Sequence, residues 1–285
     1  MIQPHLQDDA FLDDVRAARS DREHFHLWWL GQSGFLLQWQ GRHLLFDPYL
    51  SDSLTRKYSS TDKPHVRMTE PVIAPERLSF VDVITSSHNH TDHLDADTIT
   101  PMLQRNPDIE LVVPEANREM VVDRLEVMLD TPRGLDAGRS CTLAGFNIHA
   151  VPAAHEELTR DAHGRHHSLG YVVEFGPWCV YHSGDTMRYE GMVERLSRWR
   201  IDVAILPING RAPERRVAGN LNGEEAARLA RDIGAHVVIP CHYDMFEFNT
   251  ATPDAFAHAC EALGQNYRVL KNGEGWSSAE LILPG

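Results

Sequence analysis

The sequence predicts a layered α/β domain, on three observations. Apolar runs of strand length alternate with stretches of helical period in both halves of the chain. Several of those runs end in histidine or aspartate, as strands do where α/β sheets build their sites. No linker, low-complexity tract or close repeat interrupts the 285 residues, so residues 1–285 read as one domain.

The elements follow in order. "DDAFLDDVRAARS" (8–20) spaces Phe11, Val15 and Ala18 at i, i+4 and i+7, which predicts a short amphipathic helix. Residues 26–48, "HLWWLGQSGFLLQWQGRHLLFDP", are aromatic and aliphatic and are punctuated by Gly31, Gly34 and Gly41; they predict a meander of strands. Residues 51–79 are polar, contain proline and hold no period, which predicts a long loop of the kind that often carries function. "VDVITSS" (81–87) reads as a buried strand. "DADTITPML" and "EANREMVVDRLEVML" read as helices, with the strand "ELVVP" (110–114) between them. Strands are then expected at "FNIHAVPA", "LGYVVEF" and "WCVYHSGD", a helix near 189–199, and a strand at "DVAILPI". A helix with a capping-box start at Asn222 and Glu225 and a stop at Gly234 precedes a last strand, "AHVVIPCH".

Composition narrows the function. With 42% hydrophobic and 24% charged residues the chain is ordinary globular material. A formal net charge of −14 disfavours a polyanionic partner, so no nucleic acid is expected. No secretory signal is visible at the N-terminus and no apolar run approaches a bilayer span. Four widely separated cysteines without a CxxC pair suit a cytoplasmic protein. A small-molecule substrate is the expected partner, and a homo-oligomer is compatible with the sequence. The unusual count is 17 histidines.

Those histidines cluster. "SHNHTDHLD" (87–95) places His88, His90, Asp92 and His93 just after an apolar strand. Residues 88 and 90 lie two apart in extended backbone and point the same way. A turn then brings Asp92 and His93 round to a second centre. Three more strand ends offer ligands: His155 in "HAVPAAHEE", Asp185 in "VYHSGDT" and His242 in "VVIPCHYD". Gly184 lets the backbone approach closely beside Asp185. Together they complete two three-ligand sites sharing one carboxylate bridge.

The ordered set "SHNHTDHLD", "PAAHEE", "YHSGDT" and "IPCHYD" resembles the metallo-β-lactamase superfamily, over nearly the whole chain. Within it, "WWLG", "YHSGD" and the "VVIP-x-H-x-D" strand end resemble the L-ascorbate-6-phosphate lactonase-like hydrolases, which carry an aspartate where this chain has His155. The resemblance implies a four-layer αββα sandwich with metals at one edge. It implies that His88, His90 and His155 hold one ion, that Asp92, His93 and His242 hold a second, and that Asp185 bridges. Five imidazoles and two carboxylates suit two zinc ions, and are compatible with manganese or iron.

Two such ions would lower the pKa of a bridging water from about 15.7 towards 7. The hydroxide so formed would open a lactone or cleave a related ester, an anionic sugar-type substrate being one candidate, with Asp92 also shuttling the proton. A phosphodiesterase similar to N-acyl phosphatidylethanolamine phospholipase D is the alternative, and a non-catalytic metal-binding module the second. A nuclease would need a basic docking region, and a flavodiiron-type protein a ligand glutamate and a flavin domain; the sequence shows none of these. The cations Arg56, Lys57 and Arg67 are expected to form a lid that meets an anionic substrate, with Asn209 and Arg211 as further contacts. Cys241 is expected in the core, and His182 as a buried hydrogen-bonded group. Asp47 either orients a metal ligand or caps a turn.

Overall fold

The computed structural model describes residues 1–281. Its first half contains α1 (Asp8–Ala18), β1 (His26–Trp29), β2 (Phe35–Trp39), β3 (Arg42–Phe46), α2 (Ser53–Tyr58), β4 (Val83–Thr85), α3 (Ala96–Arg105), β5 (Glu110–Pro114), α4 (Arg118–Leu125) and β6 (Pro132–Leu135). Its second half contains β7 (Ser140–Leu143), β8 (Phe146–Pro152), β9 (Leu169–Phe175), β10 (Trp178–His182), α5 (Met192–Leu196), β11 (Val203–Pro207), α6 (Gly223–Asp232), β12 (Val237–Cys241), α7 (Asp254–Leu263) and β13 (Gly275–Ser277).

The strands form two mixed sheets, one of seven strands in the order β13-β1-β2-β3-β4-β5-β6 and one of six in the order β12-β11-β10-β9-β8-β7. In the first, β1 to β3 form an antiparallel meander and β3, β4 and β5 run parallel. In the second, β10, β11 and β12 are parallel, and β8 runs with them because β9 is antiparallel to both β8 and β10. The parallel strands of each sheet therefore finish at one edge. That placement positions the site.

Period-two alternation sorts the side chains of the first sheet. Trp28, Leu36, Leu45, Ile84 and Leu111 pack beneath α1, α3 and α4 with Phe11, Val15, Ile99, Met102 and Val121. Trp29, Leu37, Leu44, Phe46 and Val83 face the other sheet and join Ile148, Tyr171, Val173 and Ile205. Both faces of each sheet are covered, so the strands read as continuous apolar runs. Helices α5, α6 and α7 close the far side through Met192, Leu229 and Phe256. The order helices, sheet, sheet, helices is the αββα sandwich that the sequence predicts.

Some elements differ from expectation. Residues 51–79 are not structureless: they hold α2 and a 3-10 turn at Pro75–Leu78. Helix α2 has six residues and buries only Leu54, too little for a visible period. The expected helix over "EANREMVVDRLEVML" begins with a 3-10 turn and ends at Leu125, where Glu126 turns left-handed with φ 54°. The capping box at Asn222 and Glu225 is present, with both reciprocal hydrogen bonds made. No helix among the described residues is long and apolar enough to cross a membrane.

Candidate metal centre

Each candidate ligand sits on a turn that leaves a strand at the shared edge. After β4, Ser87 N–H donates to Asp47 Oδ1 (2.9 Å), and the N–H groups of His93 and Leu94 both donate to the His90 carbonyl (3.1 and 2.8 Å). That tight turn swings Asp92 and His93 back towards the core. After β8, Ala154 N–H donates to Thr186 Oγ1 (3.0 Å) and the Ala154 carbonyl accepts from Met187 N–H (2.7 Å), which fixes His155 beside Asp185. Gly184 has φ +60°, and a Cβ there would lie 2.5 Å from the Ser87 Cβ. Only glycine allows that approach. His242 follows β12 with φ 65° and donates its N–H to the Gln32 carbonyl (2.9 Å).

The side chains converge. Three triads have donor atoms within 4.8 Å of one another: His88, His90 and His155; His88, His93 and Asp185; Asp92, His93 and His242. Asp185 stands between them, 3.3 Å from His93 Nε2, 3.2 Å from His242 Nε2 and 3.7 Å from His155 Nε2. His155 Nε2 lies 3.2 Å from His90 Nδ1, and Asp92 Oδ2 lies 3.7 Å from both His93 Nε2 and His242 Nε2.

The donor set fits a divalent ion. Nitrogen and oxygen ligands about 2.0–2.1 Å from a tetrahedral ion stand roughly 3.3–3.4 Å apart, and the separations here run from 3.2 to 3.7 Å. His88 Nε2, His93 Nε2 and Asp185 Oδ1 are buried with no hydrogen-bond partner among the described residues. An unpaired buried polar atom costs about 1–3 kcal/mol, so three that face one point call for a ligand.

The electrostatics agree. Burial, reinforced by the neighbouring imidazoles, pushes His88 well below its ordinary pKa and keeps its lone pairs free. Burial would also lower His93, but Asp185 and Asp92 outweigh it and raise that imidazole. Burial would raise Asp185, yet His242 and His93 hold it well below the usual carboxylate range. A proton on His93 and a metal ion compete for the same position.

A second layer orients the first. Asp47, fully buried, accepts from His93 Nδ1 (2.7 Å) and from the Ser87 hydroxyl. A carboxylate only accepts, so His93 carries its proton on Nδ1 and aims its Nε2 lone pair inward. Of the two readings of Asp47, the geometry favours ligand orientation. Gln32 was not singled out by the sequence; its Nε2 donates to Asp92 Oδ2 (2.7 Å) and lies 3.1 Å from His242 Nε2. The flanking glycines in "GQSG" were the only signal. His182 points away: its Nε2 donates to the Ser33 carbonyl (2.8 Å) and its ring stacks on Phe46. Cys241 is buried, 4.0 Å from Ser33 Oγ.

The expected substrate contacts separate. A cavity of about 480 Å³ opens over Asp92 and Asp185, and Lys57 lines it. Arg56 is instead ion-paired with Asp97. Arg67 is buried, donating to the carbonyls of Thr69 (2.6 Å) and Ser51 (2.7 Å), so it braces the segment rather than covering the cavity. Asn209 is buried between Asn220 and Asn249, and Arg211 forms a two-pronged pair with Glu225 (2.9 and 2.7 Å). The cavity's other cations are Arg124 and Arg216, both unmarked in the sequence.

Comparison with known proteins matches this architecture. A family model described as a β-lactamase superfamily domain matches residues 42–243. A protein of Caldivirga maquilingensis named a UPF0173 metal-dependent hydrolase is 28% identical over 250 residues, 86% of this chain and 93% of its own length. A protein of the same name from Opitutus terrae is 29% identical over 252 residues, 87% of this chain and 97% of its own. Among solved structures, an isothiocyanate hydrolase from Delia radicum gut bacteria has TM-score 0.70 at 19% identity, over 88% of this chain and 98% of its own. A metallo hydrolase from Ignicoccus hospitalis has TM-score 0.64 at 22% identity, over 89% and 98%. Fold, domain match and relatives agree: the chain belongs to the metallo-β-lactamase superfamily.

Proposed function

We propose that the chain, as one hydrolase domain, is a two-metal hydrolase of carboxylic esters, lactones among them. The observation that carries this reading is the convergence of seven histidine and aspartate side chains around buried donor atoms that lack partners. The similarity to proteins named metal-dependent hydrolases supports it.

His88, His90 and His155 would hold one ion, and Asp92, His93 and His242 the other, with Asp185 shared; five imidazoles favour zinc. When bound, the ions supply a water acidified towards neutral pH and a polarised carbonyl oxygen. Asp47 holds His93 in one tautomer. Gln32 ties down Asp92 Oδ2, which would leave Oδ1 of the same carboxylate as the group to hold a proton and pass it to the leaving alkoxide. Phe246 and Phe248 give the cavity an apolar wall beside the candidate ligands.

Elemental analysis and a substrate panel test the reading together. Close to two transition-metal ions per chain and turnover of 4-nitrophenyl esters or γ-lactones are expected, with Asp185→Ala losing both turnover and at least one ion. Bis(4-nitrophenyl) phosphate and an isothiocyanate complete the panel, the latter because a protein of the same fold is named for hydrolysing it. Preference for the phosphodiester would replace the ester reading. Full metal with no turnover on any of them would leave only a metal-binding module.

A further inference from the structure

The cavity above the metal centre has a neighbour. A second cavity, of about 320 Å³, is walled by Asp62, Lys63 and Arg215 and shares Tyr58, His65, Phe248, Arg216 and Val217 with the first. The three shared rings form an aromatic partition. His65 stacks on Tyr58 with ring centres 4.1 Å apart and planes 18° apart, and leans on Phe248 at 4.4 Å. Its Nδ1 donates to the Lys63 carbonyl (3.2 Å), which ties the partition to the second cavity's wall.

The charges on that wall are unbalanced. Arg216 is matched by Asp62 at 2.6 Å. Arg215 is held only by neutral acceptors, the carbonyls of Asn209 (2.5 Å) and Thr250 (3.1 Å) and the Asn249 side chain (3.3 Å). Lys63 has no carboxylate partner among the described residues, and neither does Lys57 across the partition, whose Nζ lies 5.2 Å from the Tyr58 ring centre. Elsewhere on this chain of net charge −14, arginines such as Arg56, Arg188 and Arg211 pair with carboxylates. Uncompensated cations gathered at one cavity of an acidic protein create a local field for an anion. Arg215, its guanidinium already braced, loses little freedom on giving its remaining N–H groups to that anion.

We propose that the second cavity is a subsite for an oxyanion, carboxylate or phosphate, at the far end of a substrate whose scissile carbonyl lies over the metal centre. The part of the proposal that concerns the scissile bond rests on the hydrolase reading above; the oxyanion site does not. The substrate's apolar middle crosses against Tyr58 and Phe248, and its charged end meets Lys63 and Arg215.

Two measurements test it in the metal-loaded protein. The first compares mono(4-nitrophenyl) glutarate with 4-nitrophenyl butyrate, which release the same phenolate and differ in the distal carboxylate. Wild type should prefer the glutarate ester, and Lys63→Ala and Lys63→Glu should reduce the ratio of the two kcat/KM values roughly ten- to a hundredfold, the range of a charge-assisted contact. The second titrates glutarate and butyl phosphate calorimetrically into wild type and both variants. Affinity should fall roughly tenfold or more in the variants, and the tighter ligand identifies the oxyanion. Weakened binding with no turnover of either ester or of the panel above would support the subsite and overturn the hydrolase reading. Equal affinities in all three proteins, for both oxyanions, would overturn the subsite whatever the esters do.

Discussion

Asp47→Asn is the sharpest probe of how the candidate centre is held. Asp47 is fully buried behind His93 and uses both oxygens as acceptors. Oδ1 takes the Ser87 N–H (2.9 Å), and Oδ2 takes His93 Nδ1–H (2.7 Å) and the Ser87 hydroxyl. Asparagine keeps the shape but turns one oxygen into a donor. If the amide NH2 faces Ser87, it meets a backbone N–H that cannot reverse, and a buried donor goes unpaired at a cost of about 1–3 kcal/mol. If it faces His93, Nδ1 must accept, and the imidazole proton moves to Nε2. That is the atom 3.3 Å from Asp185 and 3.7 Å from Asp92, and it then has no lone pair for a metal. Loss of such an orienting partner typically weakens metal binding 10- to 100-fold, or about 1.4–2.8 kcal/mol. Competition against a chromophoric chelator reads the second outcome, and urea unfolding of the metal-free protein reads the first. The variant must lose on one measure or the other, and Asp47→Ala, which removes every acceptor, should lose on both. Asp47→Asn with wild-type metal affinity and wild-type stability would refute the argument that this carboxylate sets the tautomer of His93.

Three further predictions concern the frame of the fold. Gly184→Ala places a Cβ 2.5 Å from that of Ser87 at φ +60°, so it should destabilise the fold by about 1–3 kcal/mol in denaturant melts; an unchanged midpoint would mean the two turns are not in contact. Arg67→Met strips the donors from the Ser51 and Thr69 carbonyls and should cost about 2–3 kcal/mol of stability while leaving the glutarate-to-butyrate ester ratio near wild type. A changed ratio with intact stability would return Arg67 to the substrate. The carboxyl of Asp21 accepts backbone N–H bonds from His24 and Glu23, which lower its pKa from 3.8 to about 2. Its contribution to stability is therefore complete above about pH 4 and is lost as pH falls towards 2. Carboxyl NMR should show the low midpoint, and a titration at 3.8 would mean those bonds are absent in solution.

What the sequence makes legible follows from how far each signal extends along the chain. The strands "HLWWL", "ELVVP" and "VVIPC" are apolar beyond at most their first residue because both faces are covered, and the histidines and aspartates after such runs announce themselves by type alone. Strand β6 includes Pro132 and Gly134, and β7 reads "SCTL"; neither carries a β pattern, and both lie at sheet edges where packing asks little of them. Gln32 could not be found locally, because its partners Asp92 and His242 lie 60 and 210 residues away. Arg67 illustrates the opposite failure. In a polar stretch it reads as a surface cation, and only the folded position of the Ser51 carbonyl reveals a buried brace.

The backbone at the shared edge adds a thermodynamic reason for the thickness of the core beneath it. Gln32, Asp47 and His242 adopt left-handed φ values of 49°, 39° and 65° on turns that leave strands of both sheets. Each such non-glycine residue costs about 1–2 kcal/mol, and it persists only where its surroundings over-determine it. The surroundings here are the contacts between the sheets. The His182 ring of β10 lies flat on Phe46 of β3, 4.9 Å away and 4° from parallel, while its Nε2 binds the Ser33 carbonyl next to Gln32. That stack joins the strand leading to Asp185 with the strand leading to Asp47, directly under the candidate ligands. The separation of the two sheets at this point sets the distance from His93, held through Asp47, to Asp185 and His242. A substitution that thins the stack therefore acts on the donor separations before it acts on any ligand, so loss of stability and loss of metal affinity should travel together at Phe46 and His182, while substitutions at Lys57 and Lys63 should change neither.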